Sequence, residues 1–115
     1  MSTSELIYRE YDTVVSDLNS EYKNIDPFLL IKSAMLARKY PTEKKQHFWL
    51  ELQYKENTNT DEKSAMIFSQ VGRFPLYHGH FHFVIDFDGT LDTLLALSDD
   101  SDLVRVSGDV FPISA

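Results

Sequence analysis

The chain has 115 residues, of which 43% are hydrophobic and 25% are charged, and these values are typical of a single folded domain spanning residues 1–115. Its formal charge of −7 would repel the phosphates of a nucleic acid and favours a basic protein as partner. The lack of cysteine excludes disulfides, thiolate metal sites and thiol nucleophiles, and the short apolar runs without a signal peptide predict a cytoplasmic protein with no membrane partner.

Two helices are predicted at the N-terminal end of the chain. The first covers roughly residues 4–22, where a capping-box spacing is followed by apolar residues that recur at helical intervals. Asp26 followed by Pro27 is a second helix-start signal, and Pro41 ends the helix that begins there. Because this second helix is apolar on most of its circumference, we expect other elements to pack on both of its sides.

The rest of the chain is predicted to form strands. Apolar and polar residues alternate after position 46 and again, most clearly, between Leu76 and Asp88. The predicted strands cover residues 47–55, 64–71, 76–88, 91–98 and 103–113. We therefore predict an α+β fold in which the two N-terminal helices pack on one face of a mainly antiparallel meander sheet of about five strands.

One motif raises the question of an enzyme. The strand predicted over residues 76–88 runs into Asp86-x-Asp88-Gly89-Thr90, which resembles the nucleophile loop of the haloacid dehalogenase family of phosphohydrolases. The resemblance implies that Asp86 would be the nucleophile and Asp88 the general acid and base, with Mg²⁺ bound beside them. That family needs a parallel sheet after the motif, built from βα units of about 30 residues or more each.

Two properties of the sequence argue against this resemblance. Only 27 residues follow Asp88, and the strand before it alternates, whereas a strand inside a parallel sheet is continuously apolar. We therefore interpret Asp88-Gly89 as a turn after a half-exposed strand and predict a protein that is not an enzyme.

Three histidines give an alternative function. On a strand, His78, His80 and His82 would project from one face, with neighbours about 6.5–7 Å apart. Two of these imidazoles could share a transition-metal ion, with His47 or Glu51 from an adjacent strand as a further ligand. The alternative is therefore a metal-binding module or a metal-dependent enzyme.

The polar sides of the strands over residues 47–55 and 76–88 predict a surface that binds a partner. An exposed tryptophan anchors many interfaces, and the surrounding carboxylates suit a basic protein. The predicted partner-binding residues are Trp49, Glu51, Gln53, His80, His82, Asp86 and Asp88. The preferred function is a small acidic protein, without a cofactor, that masks or inhibits a basic protein, as immunity proteins, antitoxins and phage-encoded inhibitors of this size and acidity do. A homodimer joined through exposed strand edges is a third alternative.

Overall fold

The computed structural model describes residues 2–113. This part of the chain forms an α+β structure of four helices and one four-stranded antiparallel sheet. The helices are Thr3–Glu21 (α1), Pro27–Lys39 (α2), Thr60–Val71 (α3) and Leu91–Ser98 (α4), and the strands are Gln46–Tyr54 (β1), Leu76–Tyr77 (β2), His82–Gly89 (β3) and Leu103–Pro112 (β4). None of the helices in residues 2–113 is long and apolar enough to cross a membrane.

The sheet is not the predicted meander of five strands. Its four strands have the order β2-β3-β1-β4, so that β1 lies between two strands that follow it in the chain. Both neighbours of β1 are antiparallel to it, and their registers place Asp86 of β3 and Asp109 of β4 on either side of Trp49. The central position of β1 brings residues from the two later strands to the surface around Trp49.

Two segments predicted to be strands are helices. Asn59 caps α3 by accepting a hydrogen bond from the backbone N–H of Glu62, and Thr90 and Thr93 form a reciprocal capping box at the start of α4. In α4 the buried residues Leu94 and Leu97 are three positions apart, which is a helical spacing. The predictions for residues 64–71 and 91–98 were wrong because these short apolar segments fit both periods and their caps lie outside them.

The long strand predicted over residues 76–88 is a hairpin. Strand β2 ends at Tyr77 and β3 begins at His82, and the His78 N–H donates a hydrogen bond to the His82 carbonyl at 2.8 Å. Gly79, His80 and Phe81 all have positive φ angles, of 84°, 51° and 60°. Three consecutive left-handed residues reverse the chain, so the residues before and after them belong to different strands.

The hydrophobic core lies between the sheet and the helices α2, α3 and α4. The inward side chains of the central strand, Phe48, Leu50 and Leu52, are fully buried there. Phe48 also stacks on Phe87 of β3, with ring centroids 5.4 Å apart. This side of the sheet is covered.

The prediction that both N-terminal helices pack on the sheet is not confirmed for α1, in which no residue is buried. The segment that joins α1 to α2 is fixed to β4, where the Val106 N–H donates to the Asn24 carbonyl and the Asp26 N–H donates to the Val106 carbonyl. Helix α2 begins at this edge and packs against β4, which leaves α1 to pack on α2 through contacts such as Tyr11 with Phe28.

Candidate functional site: the open face of the sheet

The side of the sheet that faces away from the helices is called here the open face. Its residues alternate along each strand with those of the core, and none of them is buried. The strand registers give its members as His47, Trp49, Glu51 and Gln53 of β1, His82, Val84, Asp86 and Asp88 of β3, Arg105, Ser107, Asp109 and Phe111 of β4, and Leu76 of β2.

Most of the predicted partner-binding residues lie on the open face. These are Trp49, Glu51, Gln53, His82, Asp86 and Asp88, and cross-strand pairs such as Trp49 with Asp86 and Gln53 with His82 bring them together. His80 does not belong to them, because it lies in the hairpin turn with φ 51°. Only its main chain reaches the face, where its carbonyl accepts a hydrogen bond from Gln53 Nε2 at 2.9 Å.

Trp49 is the large aromatic residue at the centre of the open face, and it is 42% exposed. Asp86 is its neighbour on one side and Asp109 on the other. A depression of about 400 Å³ lies beside the indole and is lined by Arg73, Phe74 and Leu76, together with Val84, Ile85 and Asp86. The face therefore combines an exposed indole, flanking carboxylates and an adjacent apolar hollow.

Cations and histidine lie close to the carboxylates of β3. His47 Nδ1 is 2.7 Å from Asp88 Oδ1, and its Nε2 is 3.7 Å from Asp86 Oδ2. Arg73 Nη1 approaches the other oxygen of Asp86 at 3.2 Å. Glu51 has no ion pair within residues 2–113, although Glu51 and Arg105 line the same depression of the face.

On the β4 side, Lys32 reaches from α2 to the edge of the open face. Its Nζ lies 2.6 Å from Asp109 Oδ1 and 4.8 Å from the centre of the Phe111 ring. Burial alone would raise the pKa of Asp109, but the hydrogen bonds that Lys32 and the Val110 N–H donate hold this pKa below its ordinary value. Asp109 is consequently ionised and fixed in orientation next to Trp49.

The residues of this site that were missed from the sequence include Phe74, Leu76, Asp109 and Phe111, and also the basic residues Lys32 and Arg73 that contact the aspartates. Asp109 and Phe111 are two residues apart on β4, so alternation in the last strand could have placed them on one face. Their position next to Trp49 depends on the pairing of β4 with β1, a contact between residues about 60 positions apart. Phe74 lies between the segments predicted as strands over residues 64–71 and 76–88, where periodicity gives no direction for a side chain.

The histidine row on which the alternative metal-binding function depends does not form. His78 precedes the hairpin turn, His80 lies within it, and only His82 is on β3, so the three side chains do not share a strand face. The rings of His78 and His82 are 5.9 Å apart, centre to centre. Within residues 2–113 no group of three or more histidine, aspartate or glutamate side chains could hold a metal ion. The prediction depended on a flat strand, and the turn removes that strand.

The Asp86-x-Asp88-Gly89-Thr90 motif is also placed differently from the prediction. Gly89 ends β3 and Thr90 is the N-cap of α4, so the motif is a junction between a strand and a helix and not a hairpin turn. Its two aspartates face the open side, next to His47. The sheet around the motif is antiparallel, whereas the phosphohydrolase resemblance implies a parallel one.

The fold and this site together define an α+β protein with helices on one side of its sheet and an exposed aromatic and acidic surface on the other. Comparison with known proteins finds no matching family model, curated protein or solved structure. Its function is therefore argued from the chemistry of the surface itself.

Proposed function

We propose that the protein is a small acidic binding protein that masks or inhibits a basic protein through the open face of its sheet. The observation that carries this proposal is the position of Trp49, which is 42% exposed at the centre of the face between Asp86 and Asp109. An exposed tryptophan surrounded by polar groups is the arrangement that most often provides a binding hot spot.

The row formed by Asp86, Trp49 and Asp109 suits a cationic side chain of the partner. A lysine or arginine above the indole would gain a cation–π interaction worth about 0.5–2 kcal/mol, depending on how much water is excluded. Arg73 and Lys32 already contact the two aspartates from the rim of the face. An arriving cation would therefore interact mainly with the indole and with Glu51, whose carboxylate has no ion pair in the described part of the chain.

Apolar residues next to Trp49 supply the remaining contact area. Leu76 and Phe74 are 67% and 65% exposed beside the hollow, and Phe111 lies on the opposite side of the face. Hydrophobic side chains at the centre of a contact, with charges around them, are the usual composition of a protein interface. The net charge of −7 would in addition accelerate the approach of a basic partner.

Binding, and not catalysis, is proposed because His47 and the three aspartates of the face already contact one another or a basic side chain of the protein. His47 lies between Asp86 and Asp88, and Arg73 and Lys32 hold the carboxylates on either side of Trp49. A general acid or base needs a proton that the substrate can reach, and both ring nitrogens of His47 face carboxylates of the protein itself.

The proposal is tested by native mass spectrometry of the protein isolated from its source cells at low salt. A stoichiometric complex with a basic protein is expected, and the purified partner then allows affinities to be measured. Trp49→Ala should weaken binding about thirtyfold or more, as the loss of a hot-spot residue does. Met35→Ala is the matched control, because Met35 is an exposed apolar residue of α2 away from the open face.

Three results would overturn the proposal. One is a chain isolated without a partner, and another is a homodimer as the sole complex. The third is equal affinity of Trp49→Ala and Met35→Ala for the partner, which would place the contact elsewhere on the molecule.

A further inference from the structure

Helix α1 has several apolar side chains that are exposed to solvent. Ile7, Tyr11 and Val14 are 60%, 44% and 47% exposed, and Tyr8 beside them is 67% exposed. Ile7, Tyr11 and Val14 recur at intervals of four and three residues, so they form a single stripe along the helix, called here the α1 stripe. A helix in water gains most of its stability from packing an apolar face, and on this part of α1 the side chains of Ile7 and Val14 remain exposed.

The same side of α1 continues into the body of the protein. Leu18 and Tyr22 follow Val14 at intervals of four residues and pack against the hydrophobic core. Tyr11 meets Phe28 of α2, with ring centroids 6.2 Å apart. The C-terminal half of α1 is thus fixed to the core, whereas the N-terminal half, which carries Ile7, extends beyond these contacts. The whole helix is about 28 Å long.

The charges around the α1 stripe have one sign. Glu10 is three residues after Ile7 and Asp17 three residues after Val14, so both border the stripe on one side, whereas the other side has the uncharged residues Tyr8 and Val15. Arg9 is the single basic residue of α1 and lies opposite the stripe. With five acidic residues against this one, α1 holds more than half of the formal charge of −7.

These charges select among the surfaces that could cover the α1 stripe. An antiparallel second copy of α1 would place the acidic border of each helix against that of the other, and a parallel copy would bring no basic residue to the acidic border. An anionic membrane surface would repel the acidic border. A groove with apolar walls and basic edges complements both the stripe and its charges.

We propose that α1 is a recognition helix that docks its stripe, with Ile7, Tyr11 and Val14 as anchors, into an apolar groove with basic edges on a protein partner. The inference shares with the proposed function the basic character of the partner, but it uses a different surface. Anchors at spacings of three and four residues are the pattern by which amphipathic helices bind grooves. The short anchored half of α1 holds the helix in place before binding, which reduces the entropy lost on docking.

The test places a photoreactive amino acid at one position at a time in the full chain within the source cells. Position 7 is on the stripe, position 13 is on the exposed far side of α1, and position 51 is on the open face. Crosslinking from position 7 is expected to join a peptide of another protein that contains both apolar and basic residues. Position 13 should give at least tenfold less of this adduct, and Tyr11→Ala in the same chain should reduce the yield from position 7 by about tenfold.

A second variant distinguishes a loss of binding from a folding defect in Tyr11→Ala. Ile7→Glu changes a residue that is 60% exposed, so its circular dichroism spectrum and melting temperature should match those of the wild type. Its affinity for the crosslinked partner should nevertheless fall about tenfold or more. Thr13→Glu adds the same charge on the far side of the helix and should bind within about twofold of the wild type.

Four outcomes would overturn the inference: an adduct of two copies of this chain, equal yields from positions 7 and 13, unchanged affinity of Ile7→Glu, or binding to vesicles that contain phosphatidylserine. Position 51 separates this inference from the proposed function. Adducts from position 51 without any from position 7 would remove the role of α1 and leave the open face as the binding surface. Adducts from position 7 without any from position 51 would do the opposite.

Discussion

Gly108 faces the main chain of Trp49 so closely that a Cβ atom at position 108 would lie 2.0 Å from the Trp49 carbonyl oxygen. The φ angle of Gly108 is +139°, a conformation that residues with a side chain rarely adopt. This close approach belongs to the pairing of β4 with β1, in which Gly108 is opposite Leu50 and Asp109 is opposite Trp49. One glycine therefore allows the strand contact that places Asp109 beside the indole.

The first prediction follows from this contact. Gly108→Ala should lower the free energy of unfolding by at least about 2 kcal/mol, because both the backbone conformation and the space exclude a methyl group. Chemical denaturation measures the loss, and Ser107→Ala, a neighbouring change on the open face, should stay within about 0.5 kcal/mol of the wild type. If the two variants were equally stable, the register of β4 on β1, and with it the composition of the open face, would be incorrect.

The second prediction concerns an ion pair between α3 and the turn that follows α4. Lys63 Nζ lies 3.1 and 2.9 Å from the two carboxylate oxygens of Asp100, and both side chains are about nine-tenths buried, at 9% and 10% exposure. Asp100→Asn should lower the free energy of unfolding by about 3 kcal/mol, since it leaves the ammonium with less compensation in a buried position. Asp99→Asn, at an exposed neighbouring position, should change it by less than about 0.5 kcal/mol.

The third prediction is the pH dependence of the same cluster. The hydrogen bond and charge of Lys63 hold the pKa of Asp102 below its ordinary value of about 4. Because the pKa is lower in the folded state, the interaction stabilises the fold above about pH 4 and is lost as the pH falls through the folded-state pKa. The difference in unfolding free energy between the wild type and Asp102→Asn should therefore shrink as the pH is lowered from about 5 to about 2.

At alkaline pH, the contribution of this cluster to stability depends on the charge of Lys63. Burial disfavours its charged form, but the hydrogen bonds to Asp100 and Asp102 outweigh burial and raise the pKa of Lys63. Its contribution is complete below the ordinary lysine pKa of about 10.4 and is lost as the pH rises through the higher folded-state value. The difference in unfolding free energy between the wild type and Lys63→Met should stay constant between about pH 6 and pH 9. A difference that changed within this range would contradict the raised pKa of Lys63.

The central strand and its polar side could be predicted from the sequence, because strict alternation around Trp49 fixes which residues face inward. Phe48, Leu50 and Leu52 are fully buried, and Trp49 with Glu51 lies on the open side. The register with β3 then brings Asp86 and Asp88 to the same surface. Alternation depends on residues that are adjacent in the sequence, so it predicts which side of a strand each residue faces.

The remaining features depend on contacts that are distant in the sequence or on single backbone conformations. Residues 91–98 are apolar at positions that suit either a strand or a short helix, and the capping box of Thr90 and Thr93 decides for the helix. In the hairpin, Gly79 signals a left-handed conformation, but His80 and Phe81 adopt one as well, which neither residue type predicts. The uncovered stripe on α1 could not be predicted, because helical periodicity shows an apolar side and not whether another element covers it.

The last prediction separates the two contributions of the open face to binding. Glu51→Lys reverses a charge that has no ion pair in residues 2–113, so it should slow association with the basic partner roughly fivefold at low salt, with a smaller effect at high salt. Trp49→Ala removes the anchor and should instead accelerate dissociation by about thirtyfold, with little change in the association rate.

Rate constants measured by surface plasmon resonance at several ionic strengths distinguish these two effects. Glu56→Lys is the matched control, because it makes the same change in net charge at an exposed position after the end of β1. If Glu51→Lys and Glu56→Lys slowed association equally, the effect would belong to the overall charge of −7 and not to the open face. A larger effect at position 51, combined with fast dissociation of Trp49→Ala, would locate both steering and anchoring on the same surface.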